Sequence, residues 1–325
     1  MRTGAFAFPG ERALFGTIVE TRRRDSVAFQ RRPKTLYDIS FLKALPFLAL
    51  PIGLYVFMMI VPLLGAFYFS LNHIFGNRFT FVGLRNFQHL LSDPIVLLAL
   101  KNNAIFILVS IVFQVGPAFI IMSLIATRLV YGSNAVRAIF FFPVVVSPLV
   151  TAYVWKIMYN PDFGVLNGII RALGAHNFQR DWLSDPKFII TSISIPLAWQ
   201  YIGYYLILLL AGFTSIDPGL LEAAEIDGAT GGQRTRFIIW PLMRNTLNVC
   251  LLLCVSGGLN IFSQVYAMSG GGPGYTSTVL SMYAFTNSFE NADFGYGATI
   301  SISMLIIGFA VVVVLLTLRR NTEAE

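Results

Sequence analysis

His73, His89 and His176 are the only histidines of the 325-residue chain, and none stands at ligand spacing from a second metal-binding side chain. A structural or catalytic metal needs such a cluster, so none is expected. Cys250 and Cys254 lie one helical turn apart inside an apolar run, where cysteine serves as a small packing residue. The glycine-rich run SGGGPG at 269–274 has no lysine, and none of the five lysines completes a GxxxxGK[ST] phosphate loop. No nucleophile–base pair stands out. The sequence therefore reads as a non-enzyme with no cofactor of its own. Two kinds of polar residue remain. One is the stretch LLEAAEIDGATGGQRTRFIIWPLM, 220–243, where charge interrupts apolar sequence; the other is a set of amides and aromatics inside apolar runs.

The elements that must position them are membrane helices. The chain is 56% apolar and 12% charged, with 29 phenylalanines, against about a quarter charged in soluble domains. Apolar runs at about 45–71, 102–127, 136–159, 188–213, 246–268 and 295–318 match the ~20 residues that a helix needs to cross a bilayer. They show no strand-like alternation, so the fold class is an all-α integral membrane protein with about six transmembrane helices. The domain division is a basic N-terminal tail (1–43), a transmembrane domain (44–319) holding a loop at about 214–244, and a short C-terminal tail (320–325). Residues 1–43 lack the apolar core of a secretory signal. For the segment Arg12–Glu20, a surface amphipathic helix and a solvated tail are both open readings.

Net charge is +7, but the basic residues cluster in short segments beside apolar runs, which is membrane topology rather than a nucleic-acid surface. Placing both termini in the cytoplasm puts 16 of the 23 Lys and Arg on that side, together with the 214–244 loop. Pro46, Pro51, Pro62, Pro143 and Pro148 fall inside apolar runs. They predict kinks that serve either irregular packing or bent helices around a solvated path.

The 214–244 loop carries helix signals. Asp217-Pro218 is an N-cap followed by proline at the first helical position. Gly228 is a natural stop. The helix between them is roughly ten residues, about 15 Å, too short to span or to be stable alone. On it Glu222, Glu225 and Ile226 share one side, and Leu220, Leu221 and Ala224 another. Glu222 can accept hydrogen bonds from a partner surface or from backbone amides of the next turn. An ordinary interfacial helix between two spans is the competing reading.

Glu222-Ala223-Ala224, Gly228, Ile238 and Pro241, with Asp227 beside the glycine, have the spacing of the signature loop of bacterial ABC-importer permeases. The chain is identified as a member of that family by resemblance. FFFPVVVSP (140–148), GVLN (164–167), WLSDP (182–186) and GGPGYTSTVL (271–280) resemble its carbohydrate-importer branch and occur in the same order, so the likeness covers about 45–318. The arrangement resembles F-type membrane subunits of maltose importers more than their G-type companions. The whole chain also resembles first permease subunits of bacterial alginate importers. The resemblance implies a type I importer permease in the inner membrane whose loop helix couples to an ATPase. It implies a homologous second permease, two ATPase subunits that use ATP and Mg, and an external periplasmic binding protein that delivers a saccharide. Trp240 stands where the family usually has leucine. Gly231-Gly232, read as a turn, stands where an aromatic is common at the second position.

Asn260 and Gln264 are the foremost candidates for the solute path, with Gln200, Tyr204 and Asn103 beside them. Ser256, Asn260, Ser263 and Gln264 recur at helical spacing if 246–268 is one helix. Polar side chains in spans also serve as glue between helices at about 0.6–2 kcal/mol each, which is the competing reading and the favoured one for each residue taken singly. A permease for a non-sugar solute is the alternative function. A stand-alone secondary transporter would carry Asp, Glu or His for ion coupling, and the six runs hold none.

Overall fold

The computed structural model describes residues 41–75, 78–127 and 132–322. The segment 12–20, most of the 1–43 tail, Arg128 and the last three residues lie outside them. The chain divides into two compact units, 1–61 and 62–325, a division that falls inside the first expected span. In the first unit helix α1 (Phe41–Tyr55) runs into a π-helical turn, Val56–Ile60. Phe47, Leu50, Phe57 and Met58 on it are exposed, an apolar surface of the kind a bilayer solvates.

The second unit begins at Pro62, within α2 (Val61–Ser70). An antiparallel hairpin follows, β1 (Asn72–Phe75) with β2 (Arg78–Phe81), paired Asn72 to Phe81. Four-residue strands leave too little alternation to read from sequence, and the hairpin was not expected. Asn86 ties it down, its Nδ2 donating to the carbonyls of Ser70 and Asn72, both at 3.0 Å. After α3 (Arg85–Ser92), the second span starts at Pro94, eight residues before the expected 102. It comprises α4 (Pro94–Ser110), a π turn (Ile111–Val115) and α5 (Gly116–Ala126). The earlier start comes from a local signal, Asp93 at the N-cap accepting from Ile95 N at 2.8 Å with proline at the first position.

Two expected spans are broken. The 136–159 run forms α6 (Ser133–Val145) and α7 (Pro148–Met158), bent by 93°. Proline at 148 pushes the residue before it out of the helical region, and Val146 and Ser147 are both extended. The 246–268 run forms α13 (Arg244–Leu259) and α14 (Ser263–Met268), separated at Asn260–Phe262. Between them in the chain come α8 (Val165–Ala172), the long α9 (Ile189–Phe213), α10 (Pro218–Ile226), α11 (Gly231–Arg234) and α12 (Trp240–Leu242). The chain closes with α15 (Leu280–Phe285) and α16 (Phe294–Thr322). Among the described residues four helices are long and apolar enough to cross a membrane, and two bent pairs, α6 with α7 and Gly231–Leu242 with α13 (71°), raise the number to as many as six.

The π turns at 111–115 and 235–239 each end two residues before a proline, Pro117 and Pro241. Proline has no N–H and collides with the carbonyl four residues back; widening the preceding turn relieves both.

Every break frees carbonyls, and buried amides take them up. Gln200 Nε2 donates to Val146 O at 2.8 Å, at the α6–α7 break. Asn103 Nδ2 donates to Gly258 O and Leu259 O at 2.6 and 3.3 Å, where α13 ends. Asn102 Nδ2 donates to Thr276 O and Thr278 O at 2.9 and 2.8 Å. That pins GGPGYTSTVL into the bundle with Ser277 and Thr278 buried, so this loop is more than an exposed turn. Asn167 of GVLN accepts from Trp182 Nε1 of WLSDP at 2.9 Å. These motifs hold one another. In low dielectric each unsatisfied backbone group would cost several kcal/mol, of order the transfer of an amide without a partner.

Asp93 closes a further junction. Its Oδ2 accepts from Tyr296 Oη at 2.6 Å and Tyr283 Oη at 2.8 Å, joining the start of α4 to α15 and α16. Burial opposes the charged form, but the hydroxyls of Tyr296 and Tyr283 and the backbone amides of Ile95 and Val96 outweigh it and hold the carboxyl below its ordinary 3.8. The stabilisation is therefore complete above that pH and is lost only as pH falls through the lowered value. Asp93→Ala would leave two buried hydroxyls without an acceptor, at about 1–3 kcal/mol each. The variant in detergent is expected to melt several degrees below the parent at neutral pH, with Tyr283→Phe milder. Equal melting temperatures would contradict the network's role.

Candidate functional site

The loop after α9 is built as a rigid, exposed projection. Asp217 caps α10 by accepting from Gly219 N at 2.9 Å, with Pro218 at the first helical position. The helix runs nine residues and stops at Asp227, where Gly228 turns left-handed at φ +79°. Glu222, Ala223, Glu225, Ile226 and Asp227 are exposed, and Ile226 is 86% exposed. Leu220 faces outward too; only Leu221 and Ala224 turn inward. Leu221 packs against a core made by α5, α9 and α13, with Ile216, Leu209, Ile239, Met243 and Cys250 buried in it. Cys254 belongs to the same core, and both cysteines are free thiols used as packing residues.

Gly231-Gly232 is not a turn but the first turn of α11. Thr230 accepts from Gln233 N at 3.3 Å, and the Gln233 side chain accepts from Thr230 N at 2.7 Å. This reciprocal capping box forces the glycines into helix. Arg234 then reaches back to Glu225, Nη1 to Oε2 at 2.8 Å. With a largely exposed carboxylate this pair contributes only about 0–1 kcal/mol, so it orients α11 against α10 more than it stabilises. Ile238 is half-buried and Pro241 exposed, while Trp240 meets Phe119 edge-on at 5.1 Å. The loop thus has a fixed root in the core and a free face carrying Glu222, Ala223 and Ile226.

A cavity of about 390 Å³ lies deeper in the bundle, between α9, α13 and α14. The broken helix removes the continuous stripe expected from Ser256 to Gln264, yet all four residues still line this cavity because the break curls around it. Tyr204 lines it as well, and Asn260 is exposed with its Nδ2 on Ser256 O at 2.9 Å. Gln264 is buried and donates to Gln200 Oε1 at 3.3 Å. Gln200 sits behind the wall, holding Val146, and Asn103 is wholly buried with its Nδ2 on the α13 carbonyls and its Oδ1 accepting from Leu280 N at 3.0 Å. The structure brings Asn260, Gln264 and Tyr204 together and leaves Asn103 elsewhere. Tyr201 and Gln114, polar residues that the same apolar runs offer, line it too, whereas Ser110 is a lining residue that sequence reasoning did not single out. Among the described residues no group of three or more His, Cys, Asp or Glu could hold a metal.

The arrangement agrees with the comparisons. The trehalose/maltose transport system permease protein MalF of Thermococcus litoralis is 34% identical over 280 residues, covering 84% of this chain and 92% of that protein. The sn-glycerol-3-phosphate transport system permease protein UgpA of Agrobacterium fabrum is 32% identical over 237 residues, covering 73% and 80%. The crystal structure of a bacterial ABC transporter involved in import of the acidic polysaccharide alginate contains a chain that superposes with TM-score 0.73 at 21% identity, covering 85% of this chain and 94% of that one; this likeness is one of fold. Residues 109–323 match the family model described as the binding-protein-dependent transport system inner membrane component. With more than half its length in that match, the chain belongs to this family and is a membrane-embedded permease subunit.

Proposed function

We propose that this chain is one of two homologous permease subunits of an ATP-driven importer, and that its cargo is a saccharide delivered by an external binding protein. The observation that carries the reading is α10: a capped helix, exposed on the face of Glu222 and Ile226 and rooted in the bundle core through Leu221. A lone short helix is unstable, so its free face suits contact with another protein. That partner is an ATPase subunit, since this sequence holds no phosphate loop. ATP and Mg are then used by the partner. The Lys and Arg bias puts the loop and both termini in the cytoplasm.

Closure of the ATPase pair pushes α10, and its root tilts α9 and α13. The cavity between them changes access from one side of the membrane to the other. ATP binding can shift this equilibrium only by the difference in its coupling to the two states. Reconstitution with partner subunits tests the reading: a saccharide-loaded binding protein is expected to stimulate ATP hydrolysis, and stimulation only by a non-sugar ligand would replace the cargo assignment.

Two substitutions test the loop. Valine at 228 must hold φ near +79°, which costs about 1–2 kcal/mol locally. It redirects the chain after α10. Gly228→Val and Glu222→Ala are expected to lower ATPase co-purification and uptake several-fold while membrane insertion stays normal. Unchanged co-purification and uptake in both would remove the loop from this role.

A further inference from the structure

The relatives carry cargo of both electrical kinds in their names, a neutral disaccharide and a phosphate ester, and the fold neighbour handles an acidic polysaccharide. The cavity in this chain separates these cases. It offers hydroxyls and amides from Ser256, Asn260, Gln264 and Gln114, and aromatic faces from Tyr201 and Tyr204. Among the described residues that line it there is no Lys, Arg, His, Asp or Glu.

The nearest cations along its helices are spent or distant. Lys101, which is exposed, is nine residues before Ser110 on α4, about 14 Å along the axis. Arg244 is twelve residues before Ser256 on α13, about 18 Å away along the axis. Lys156 is eight residues beyond Pro148 on α7, about 12 Å, and its Nζ donates to Ala267 O at 3.1 Å. Lys156 lines a second cavity, of about 430 Å³, at the end of α9 away from the 214–244 loop, and Asp181 lines the same cavity with the opposite charge.

We propose that the saccharide carried through this chain is uncharged, and that the charge-free wall around Asn260 and Gln264 selects against anionic sugars. The inference rests on the proposed saccharide cargo and specifies its class. A neutral sugar exchanges water for amide and hydroxyl partners and lays its apolar ring faces on tyrosine. A uronate brings one carboxylate per ring into low dielectric with no cation to meet it, and an unpaired buried charge costs several kcal/mol. The penalty recurs with each ring.

The test uses the chain assembled with its partner subunits in lipid nanodiscs, so that whatever the partner contributes to the path is present. Ser256→Cys places a thiol on the exposed cavity wall, and its maleimide labelling is measured above the background of the parent chain. A neutral glucose trisaccharide is expected to slow labelling at a concentration at least about tenfold lower than a tri-galacturonate, the factor that 1.4 kcal/mol supplies. Adding Asn260→Arg should reverse the preference. Equal or stronger protection by the uronate in the Ser256→Cys chain overturns the proposal, as does failure of Asn260→Arg to gain uronate protection. Protection by neither sugar overturns the cavity as a saccharide site. Stimulation of ATP hydrolysis by sugar-loaded binding protein then still reports separately on the importer reading.

Discussion

Leu221→Asp is expected to leave the transporter assembled and ATP hydrolysis running while uptake falls to a few per cent of the parent. Leu221 faces the core from α10, whereas Glu222, Ala223 and Ile226 face away. Leu221 is partly buried, so its contact stabilises by up to the roughly 1.5–3 kcal/mol of a fully buried leucine, and an unpaired carboxylate in its place adds a desolvation penalty. The root of α10 therefore detaches while its outer face remains able to dock. Hydrolysis measured with uptake in proteoliposomes separates the two effects. Leu221→Met keeps volume and apolarity and should keep uptake. Normal uptake in Leu221→Asp would mean that force reaches the spans by another route.

The second large effect is structural. At Gly203, on α9, an added Cβ would fall onto the Phe140 carbonyl and within 2.7 Å of Phe141 N, both backbone atoms of α6. Backbone cannot swing aside as a side chain can, so the helices must separate. Small residues are what permit such close approach in membranes. Overpacking of ordinary cores costs about 1–3 kcal/mol, and Gly203→Val should exceed that, yielding little folded protein from the membrane. Gly257→Ala is the control, because a Cβ there meets nothing within 4 Å. Similar yields and melting temperatures for the two variants would contradict the packing described for α6 and α9.

Local signals carried much of this structure. Apolar runs located the spans, Asp217-Pro218 and Gly228 bounded α10, and Pro148 marked a break. Thr230-x-x-Gln233 was legible as a capping box too, but the glycine pair between them suggested a turn. What sequence could not supply is who satisfies whom. Gln200 meets Val146 across 54 positions, and Asn103 meets Gly258 across 155. As single residues both can be read as solute ligands or as glue; only the freed carbonyls opposite them decide how the amides are spent. The contacts of Asp93 are no more legible, since its two tyrosines arrive from 190 and 203 residues away. The cavity kept its candidates for a reason the sequence did not show: α13 breaks at Asn260, and the curl that follows brings Gln264 to the same wall.

The central claim is that the free face of α10 is where the ATPase acts on this chain. Ile226 is 86% exposed on that face, and Phe178, 63% exposed, lies beyond the opposite end of α9. Both native thiols are buried, so a single introduced cysteine can carry a benzophenone photoprobe. In the intact transporter Ile226→Cys is expected to cross-link to the ATPase subunit and Phe178→Cys is not. Cross-linking of the ATPase from position 178, or none from position 226 in a complex that hydrolyses ATP, would contradict it.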